Sequence, residues 1–478
     1  METINMSASY RASNGPPGPR PMPLVGPRGN LLLFMHNPFK QMGNLYRKYG
    51  EIVSLTRKTT EYVFVFSPKY NQQVLSNTAL FQNLDASSSP LRIPKNSALS
   101  RLFAGLTQMN GARHKQQRQL MMPALQKKRI ENYYNAVSAI TSQKLATWKV
   151  GQRRDLFQEM RALTLSIAVR TLVGLDPNRG GDEMCQLLER WTSLVFSLWT
   201  IMLPCDFPGF SYHRLLGLSD SLESLLQGII ERKRADGLNH TDALSALMQV
   251  HDEDHGRLTN DELIGQTNFL FMAGHATTAS ALTWTMFLLA QHPRTMTDLL
   301  DECENKFRGV APTMEQLDEL PLLDAAIKES MRLLPPVLWW TRVSTAPFTL
   351  GQYALPEGTR VVHSAYVTHR IPELYPQPNK FRPERWLTGN PCPYEYLPFS
   401  AGPRACLGST FAMIEMKLVL VLLLQRFHLV LAPRTRIDVM GPMLSAPKRG
   451  MPVVIVPRDG RRISRKVRGN IQHMVDLN

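Results

Sequence analysis

The chain has 478 residues, 43% hydrophobic and 20% charged, a globular balance that excludes a disordered, collagen-like or disulfide-scaffold protein. Its 55 Lys and Arg against 39 Asp and Glu give a formal charge of +16, which attracts nucleic acid, an anionic membrane or an acidic protein. The five cysteines, Cys185, Cys205, Cys303, Cys392 and Cys406, are odd in number and contain no C-x-x-C pair, which argues against a disulfide framework or a zinc ribbon.

The polar N-terminus, METINMSASYRASNG, lacks the apolar core of a signal peptide, and residues 1–14 read as a disordered tail. From Gly15 to Asn30, prolines are dense enough to read as a stiff lead-in, neither helix nor central strand. Glu51 to Phe66 alternates like two short strands. From Pro68 to Gln249 apolar residues recur at three and four, as in NYYNAVSAITSQKLATW and DSLESLLQGIIERKRADG, so helices dominate. The cluster HDEDH, His251 to His255, lacks the i, i+4 spacing that converges metal ligands on a helix and reads as a solvated loop. Thr259 or Asn260, with Asp261 and Glu262 in the first turn, then starts one helix of about thirty residues that ends before Pro293. Apolar on nearly all sides yet carrying Gln266, Asn268 and His275, it should run through the interior rather than a bilayer. The longest aliphatic run, Leu418 to Leu424, is far short of the roughly 20 residues that span a membrane, so no transmembrane anchor is expected. The basic stretch RRISRKVR, Arg461 to Arg468, in a tail over 459–478, reads as a solvated, frayed end. Length alone suggests three domains of about 150 residues, but there is no repeat and no linker after residue 30, so one continuous fold over 15–458 is expected.

The chemistry concentrates in FSAGPRACLG, Phe399 to Gly408, followed by an apolar helical pattern. Gly402 and Pro403 predict a tight loop, and Gly408 allows close approach to the backbone. Cys406 should stand at a helix N-terminus, where amide N–H groups, the dipole and nearby Arg404 favour a thiolate. A thiolate left available suits a soft metal, and iron held by one cysteine is the ligation of oxygen-activating haem.

This segment closely resembles the F-x-x-G-x-R-x-C-x-G signature of the cytochromes P-450, the haem-thiolate monooxygenases, with all five defining positions filled. The resemblance implies a mainly α (α+β) single-domain fold, many helices around haem b and a small β-sheet, in a soluble, cytoplasmic protein of bacterial type. It makes Cys406 the iron ligand, with Phe399 beside the cofactor. A second family mark, E-x-x-R, occurs three times. Only Glu329/Arg332 lies on a helix stopped by Pro335 and Pro336, and the family pattern adds Arg385 of FRPERW as third member of a buried network that holds the loop under the haem. Glu231/Arg234 and Glu357/Arg360 read as surface pairs.

A third mark is AGHATT in the long helix. Ala273 and Gly274 would admit a flat cofactor and oxygen, and Thr277 would serve proton delivery. Relatives commonly carry an acid before that threonine, where this chain has Ala276; His275 points to another face. By resemblance, His114, Arg118, Arg342 and Arg404 are the cationic partners of the haem carboxylates. Pocket walls are implied at Phe103, Leu106, Phe196, Trp199, Leu338 and Trp339, although adjacent Trp339 and Trp340 cannot both face a cavity from an extended segment. Such walls predict a hydrophobic substrate, a terpenoid or steroid or a fatty acid. Dioxygen and electrons from a separate ferredoxin- or flavodoxin-type donor would complete the reaction. That donor would dock on Arg113, Lys115, Lys127, Lys128 and Arg129, rather than the charge serving nucleic acid. Ala276 leaves open a peroxide-driven oxygenase or a non-oxygenating isomerase, and a haem-based sensor is the rival outside catalysis.

Overall fold

The computed structural model describes residues 15–84, 91–176, 180–237, 241–252, 256–307, 309–389, 391–441, 444–457 and 464–477. The expected N-terminal tail, residues 253–255 of HDEDH and the start of RRISRKVR lie outside these residues.

The two strands expected between Glu51 and Phe66 form as Ile52–Ser54 and Tyr62–Val65, paired antiparallel. They are completed from distant parts of the chain: the sheet order continues through Arg360–His363 and Trp340–Ser344 to Phe81–Asn83. Arg360–His363 runs parallel to Tyr62–Val65 and antiparallel to Trp340–Ser344. Alternation sends Val63, Val65 and Val361 into a small cluster with Phe81, Leu350 and Leu355, while Phe64 and Val362 join the main core. A second sheet joins His428–Leu431, Pro452–Val456 and Arg153–Asp155.

The proline-rich lead-in differs from expectation. It is helical from Pro27 to His36, with Pro27 in the first turn, where its missing N–H costs nothing. Ahead of that helix, Pro17 and Pro19 carbonyls accept from Ser54 N and Arg57 N at 2.8 and 2.7 Å. Gly18 lies so close to this strand that a Cβ would stand 2.3 Å from the Ser54 oxygen.

The long helix spans Asn260–Gln291, 32 residues. Thr259 is its cap: Thr259 Oγ1 accepts from Glu262 N at 3.2 Å, and the Glu262 carboxylate accepts from Thr259 N at 3.0 Å. From Thr278 to Leu289 every residue is buried, with helices Leu156–Val173, Pro321–Leu333 and Ser409–Arg426 packed around it. Among the described residues, no helix is long and apolar enough to cross a membrane, and no cluster of His, Cys, Asp and Glu could hold a metal ion. Rather than a plain loop, His251–Asp252 pairs with Gly256–Arg257 in a short hairpin.

The frayed C-terminal end is also corrected from Ser464 onward. Arg468 N donates to Thr435 O at 3.0 Å, and Arg468 O accepts from Ile437 N at 2.7 Å. Val467, Ile471, Met474 and Val475 are buried in the main core. Apolar residues interleaved with the arginines hold the segment down, and charge counting overlooks them.

Candidate active site

The segment Phe399–Gly408 folds as a tight hairpin: Cys406 N donates to Phe399 O at 2.8 Å and Ala405 N to Gly402 O at 3.0 Å. Gly402 is left-handed, φ 74°, and a Cβ there would stand 2.5 Å from the Leu75 oxygen, so the expected turn demands glycine. The next helix starts at Ser409, which puts Cys406 at its N-terminus as expected. At Gly408 no protein atom beyond Leu407, Ser409 and the glycine itself lies within 4 Å of where a Cβ would stand, so the close approach expected there involves no other protein segment.

Cys406 is exposed, yet burial is the largest influence on its thiol and raises its pKa. The Gly408 N–H and the charge of Arg118 act in the opposite direction and lose. A side chain that is accessible but hemmed in by protein sits in a recess. The loop N–H favours a thiolate as expected, but desolvation outweighs it, and a bound cation completes the displacement of the proton. The charge that acts most on the sulfur is Arg118, while Arg404 is engaged elsewhere. Its Nη2 turns to Met109 O at 2.9 Å and Asn110 Oδ1 at 2.7 Å.

Arg404, Arg342, Arg118 and His114 do come together. Burial and then Arg404 push Arg342 down to about 9; burial and then Arg118 push Arg404 down to about 10. Burial, followed by Arg404, Arg118 and Arg342, pushes His114 down to about 4. His114 therefore joins the cluster as a neutral N–H donor, and becomes the expected cation only where an anion enters. Arg342 Nη1 and Arg404 Nε and Nη1 are buried without an acceptor. Buried guanidiniums that repel one another and lack acceptors fit a cofactor that brings its own carboxylates. One thiol beside a cage of such donors is the set an iron porphyrin with two carboxylates would use.

The long helix opens at its middle. Ala273 and Gly274 are exposed, and Phe269, Leu270 and Thr277 are half-buried, a stripe on one side of a helix otherwise in the core. A Cβ at Gly274 would meet nothing within 4 Å. Thr277 Oγ1 donates to Ala273 O at 2.6 Å and Thr278 Oγ1 to Gly274 O at 2.7 Å. The Thr277 hydroxyl thus gives its proton to the backbone and keeps its lone pairs as acceptors. His275 is buried on another face, its Nδ1–H on Phe271 O at 2.7 Å. Leu102–Asn110 ties helix and cysteine loop together. Leu106 N donates to Gln266 Oε1 at 3.1 Å, and Asn268 Nδ2 to Leu102 O at 2.9 Å. The other end of the segment is held by Arg404.

The expected pocket walls divide. Phe103 packs on Trp191 with ring centroids 5.6 Å apart, and Leu106 is buried. Phe196 and Trp199 are corrected: they are 65% and 69% exposed, on or beside the helix Leu198–Met202, which buries only Thr200. Leu338 is wholly buried, and Trp339 lies on Phe34 at 5.4 Å, so both serve packing. Phe269 and Leu270 were missed, although their spacing from Ala273 and Thr277 along one helix face was there to be read.

Under the loop, Glu329 carries the expected network and more. Arg332 Nε and Nη2 donate to it at 2.8 and 2.9 Å, and Arg385 Nε at 3.0 Å. Arg382 N and Trp386 Nε1, both missed, donate at 2.9 Å each. Burial works to raise the Glu329 carboxyl, but these donors outweigh it and hold its pKa below the ordinary range. His369 extends the network: its Nδ1–H meets Arg332 O at 3.1 Å, and its Nε2 accepts from Leu397 N at 2.8 Å. Leu397 is two residues before Phe399, so this route braces the cysteine hairpin. Of the other E-x-x-R matches, Arg360 pairs with Glu61 at 3.0 Å, and Arg234 bonds Asn260 at 2.6 Å.

Known proteins share the fold over most of the chain. The chain is 30% identical to cyclooctatin synthase of Streptomyces melanosporofaciens, covering 91% of this chain and 94% of that protein. It is 29% identical to pentalenene oxygenase of Streptomyces avermitilis, with 87% and 91% covered. A retinoic-acid-bound cyanobacterial CYP120A1 superposes with a TM-score of 0.79 at 25% identity, over 92% of this chain and 99% of that one. The haem domain of cytochrome P450DA shares the fold, with a TM-score of 0.81 at 21% identity, over 95% and 100%. The family model for Cytochrome P450 matches residues 16–452, and the chain belongs to that family of haem-iron monooxygenases.

Proposed function

We propose that this monooxygenase hydroxylates a terpenoid, with Cys406 as iron ligand and Arg342, Arg404, Arg118 and His114 holding the haem carboxylates. The orphaned guanidinium donors beside an exposed cysteine carry the assignment of the cofactor site. The relatives named cyclooctatin synthase and pentalenene oxygenase support the substrate class. When bound, haem supplies the activation of dioxygen. Ala273 and Gly274 leave room where the long helix opens, and Thr277 Oγ1, its own proton engaged, is free to accept a hydrogen bond from a bound guest. Phe103, Phe269 and Leu270, all half-buried, keep water out and favour an apolar guest, with Leu106 packed behind them. Glu329, Arg332, Arg385 and His369 keep the cysteine hairpin in place. None of the five cysteines is in a disulfide, which suits a reducing cytoplasm.

Spectral titration with cyclic terpenes and with fatty acids of graded length tests the substrate class. Terpenes should displace water from the iron and yield products heavier by one oxygen atom. A response to fatty acids alone would overturn the proposal. Electrons come from a separate ferredoxin- or flavodoxin-type protein on the face bearing Arg113, Lys115, Lys127 and Lys128, all exposed, with Arg129 half-buried at its edge. Reversing Lys115, Lys127 and Lys128 should flatten the salt dependence of reduction, and an unchanged dependence contradicts docking there. Ala276 keeps a peroxide-driven reading alive, and a product yield that follows added peroxide instead of reductant would favour it.

A further inference from the structure

We propose that His363 is a fifth member of the cradle for the haem carboxylates, donating a ring N–H to one of them beside Arg342. The strand register carries the placement. Arg342 stands opposite Val361 and His363 opposite Trp340, and the two-residue period of a strand puts Arg342 and His363 on the same face of the sheet. They are diagonal neighbours, whose backbones lie about 7–8 Å apart, within reach of long side chains. His363 is 5% exposed, and both its ring nitrogens are buried without a partner, as is Arg342 Nη1. On its other side, His363 is flanked by Val65, which offers no side-chain acceptor.

Burial, and then the charge of Arg342, push His363 down to about 3. The ring is neutral and has one N–H to give. Native interiors seldom leave such donors unanswered, and here two of them, on adjacent strands, lack an acceptor at the same place. One carboxylate, with two oxygens and several lone pairs, satisfies both. Sequence reading passed over His363 because VVHS carries no motif; only the pairing of Arg360–His363 with Trp340–Ser344 brings it beside Arg342.

The test uses holoenzyme of the wild type, His363→Phe, which keeps the ring volume, and His363→Gln, which keeps an N–H donor. His363→Met replaces the phenylalanine variant should that one not fold. The haem carboxylate bending modes are read by resonance Raman spectroscopy, and haem loss is timed with an excess of scavenging apoprotein. The apolar variant should shift the bending modes and lose haem about tenfold faster, the factor of one charge-assisted hydrogen bond. His363→Gln should restore both. Unshifted modes with an unchanged loss rate in the apolar variant overturn the proposal. Faster loss with unshifted modes and no recovery in His363→Gln also overturns it, as a packing role. The inference rests on haem occupying the proposed site, and that assignment is checked separately by the thiolate band of the carbonyl complex, which all the variants should keep.

Discussion

A thiol hemmed in by protein, its pKa raised by desolvation, gives up its proton to a bound cation, and Cys406 is arranged for that exchange. It is accessible, it receives the Gly408 N–H, and Arg118 adds its charge. The hairpin that presents it depends on one glycine. Gly402→Ala would place a methyl group 2.5 Å from the Leu75 oxygen at a φ of 74°, and should cost about 1–3 kcal/mol while lowering haem content. Thermal unfolding with haem quantitation checks this; an alanine variant as stable and as fully loaded as the wild type would contradict it. At this scale much was legible, because Cys406, Glu329, Arg332 and Arg385 stand at fixed spacings in short segments. Arg404 was half legible. Its place in the cluster was expected, but its turn toward Met109 and Asn110 depends on partners almost three hundred positions away.

Among elements, the helix Pro321–Leu333 and the short turn Pro383–Trp386 meet through one carboxylate. Removing the charge in Glu329→Gln leaves Arg332 and Arg385 without a counter-charge, and should cost about 3–5 kcal/mol. The pH dependence has a definite sign. The Glu329 pKa is lower in the folded chain than in the unfolded one, so its contribution is complete above the ordinary Glu range. It is lost as pH falls through the folded value. A melting-temperature profile below about pH 5 should therefore be flatter in Glu329→Gln than in wild type; parallel profiles would contradict the assignment. The helix Leu198–Met202 shows where composition misleads. Phe196 and Trp199 read as a pocket wall, but they stand beside and on a helix of five residues that buries only Thr200.

For the whole molecule, the long interior helix and the mainly helical class were legible from periodicity and capping. The five-stranded sheet was not, since strands early in the chain close on strands near residues 340 and 360, and no local pattern reports such pairing. The C-terminal end was misread for a related reason: its charges are local, while the core that receives Ile471, Met474 and Val475 is distant in sequence. Truncation after Pro457 should thus destabilise the protein by several kcal/mol, with each buried apolar side chain worth about 1.5–3 kcal/mol. An unchanged melting temperature would restore the frayed-end reading. The most direct test of the central claim, that Cys406 is the thiolate ligand of haem, is the carbon monoxide difference spectrum of the reduced protein. The wild type should show a band at about 450 nm that Cys406→Ser abolishes; a wild type without that band, or a serine variant that keeps it, would contradict the claim.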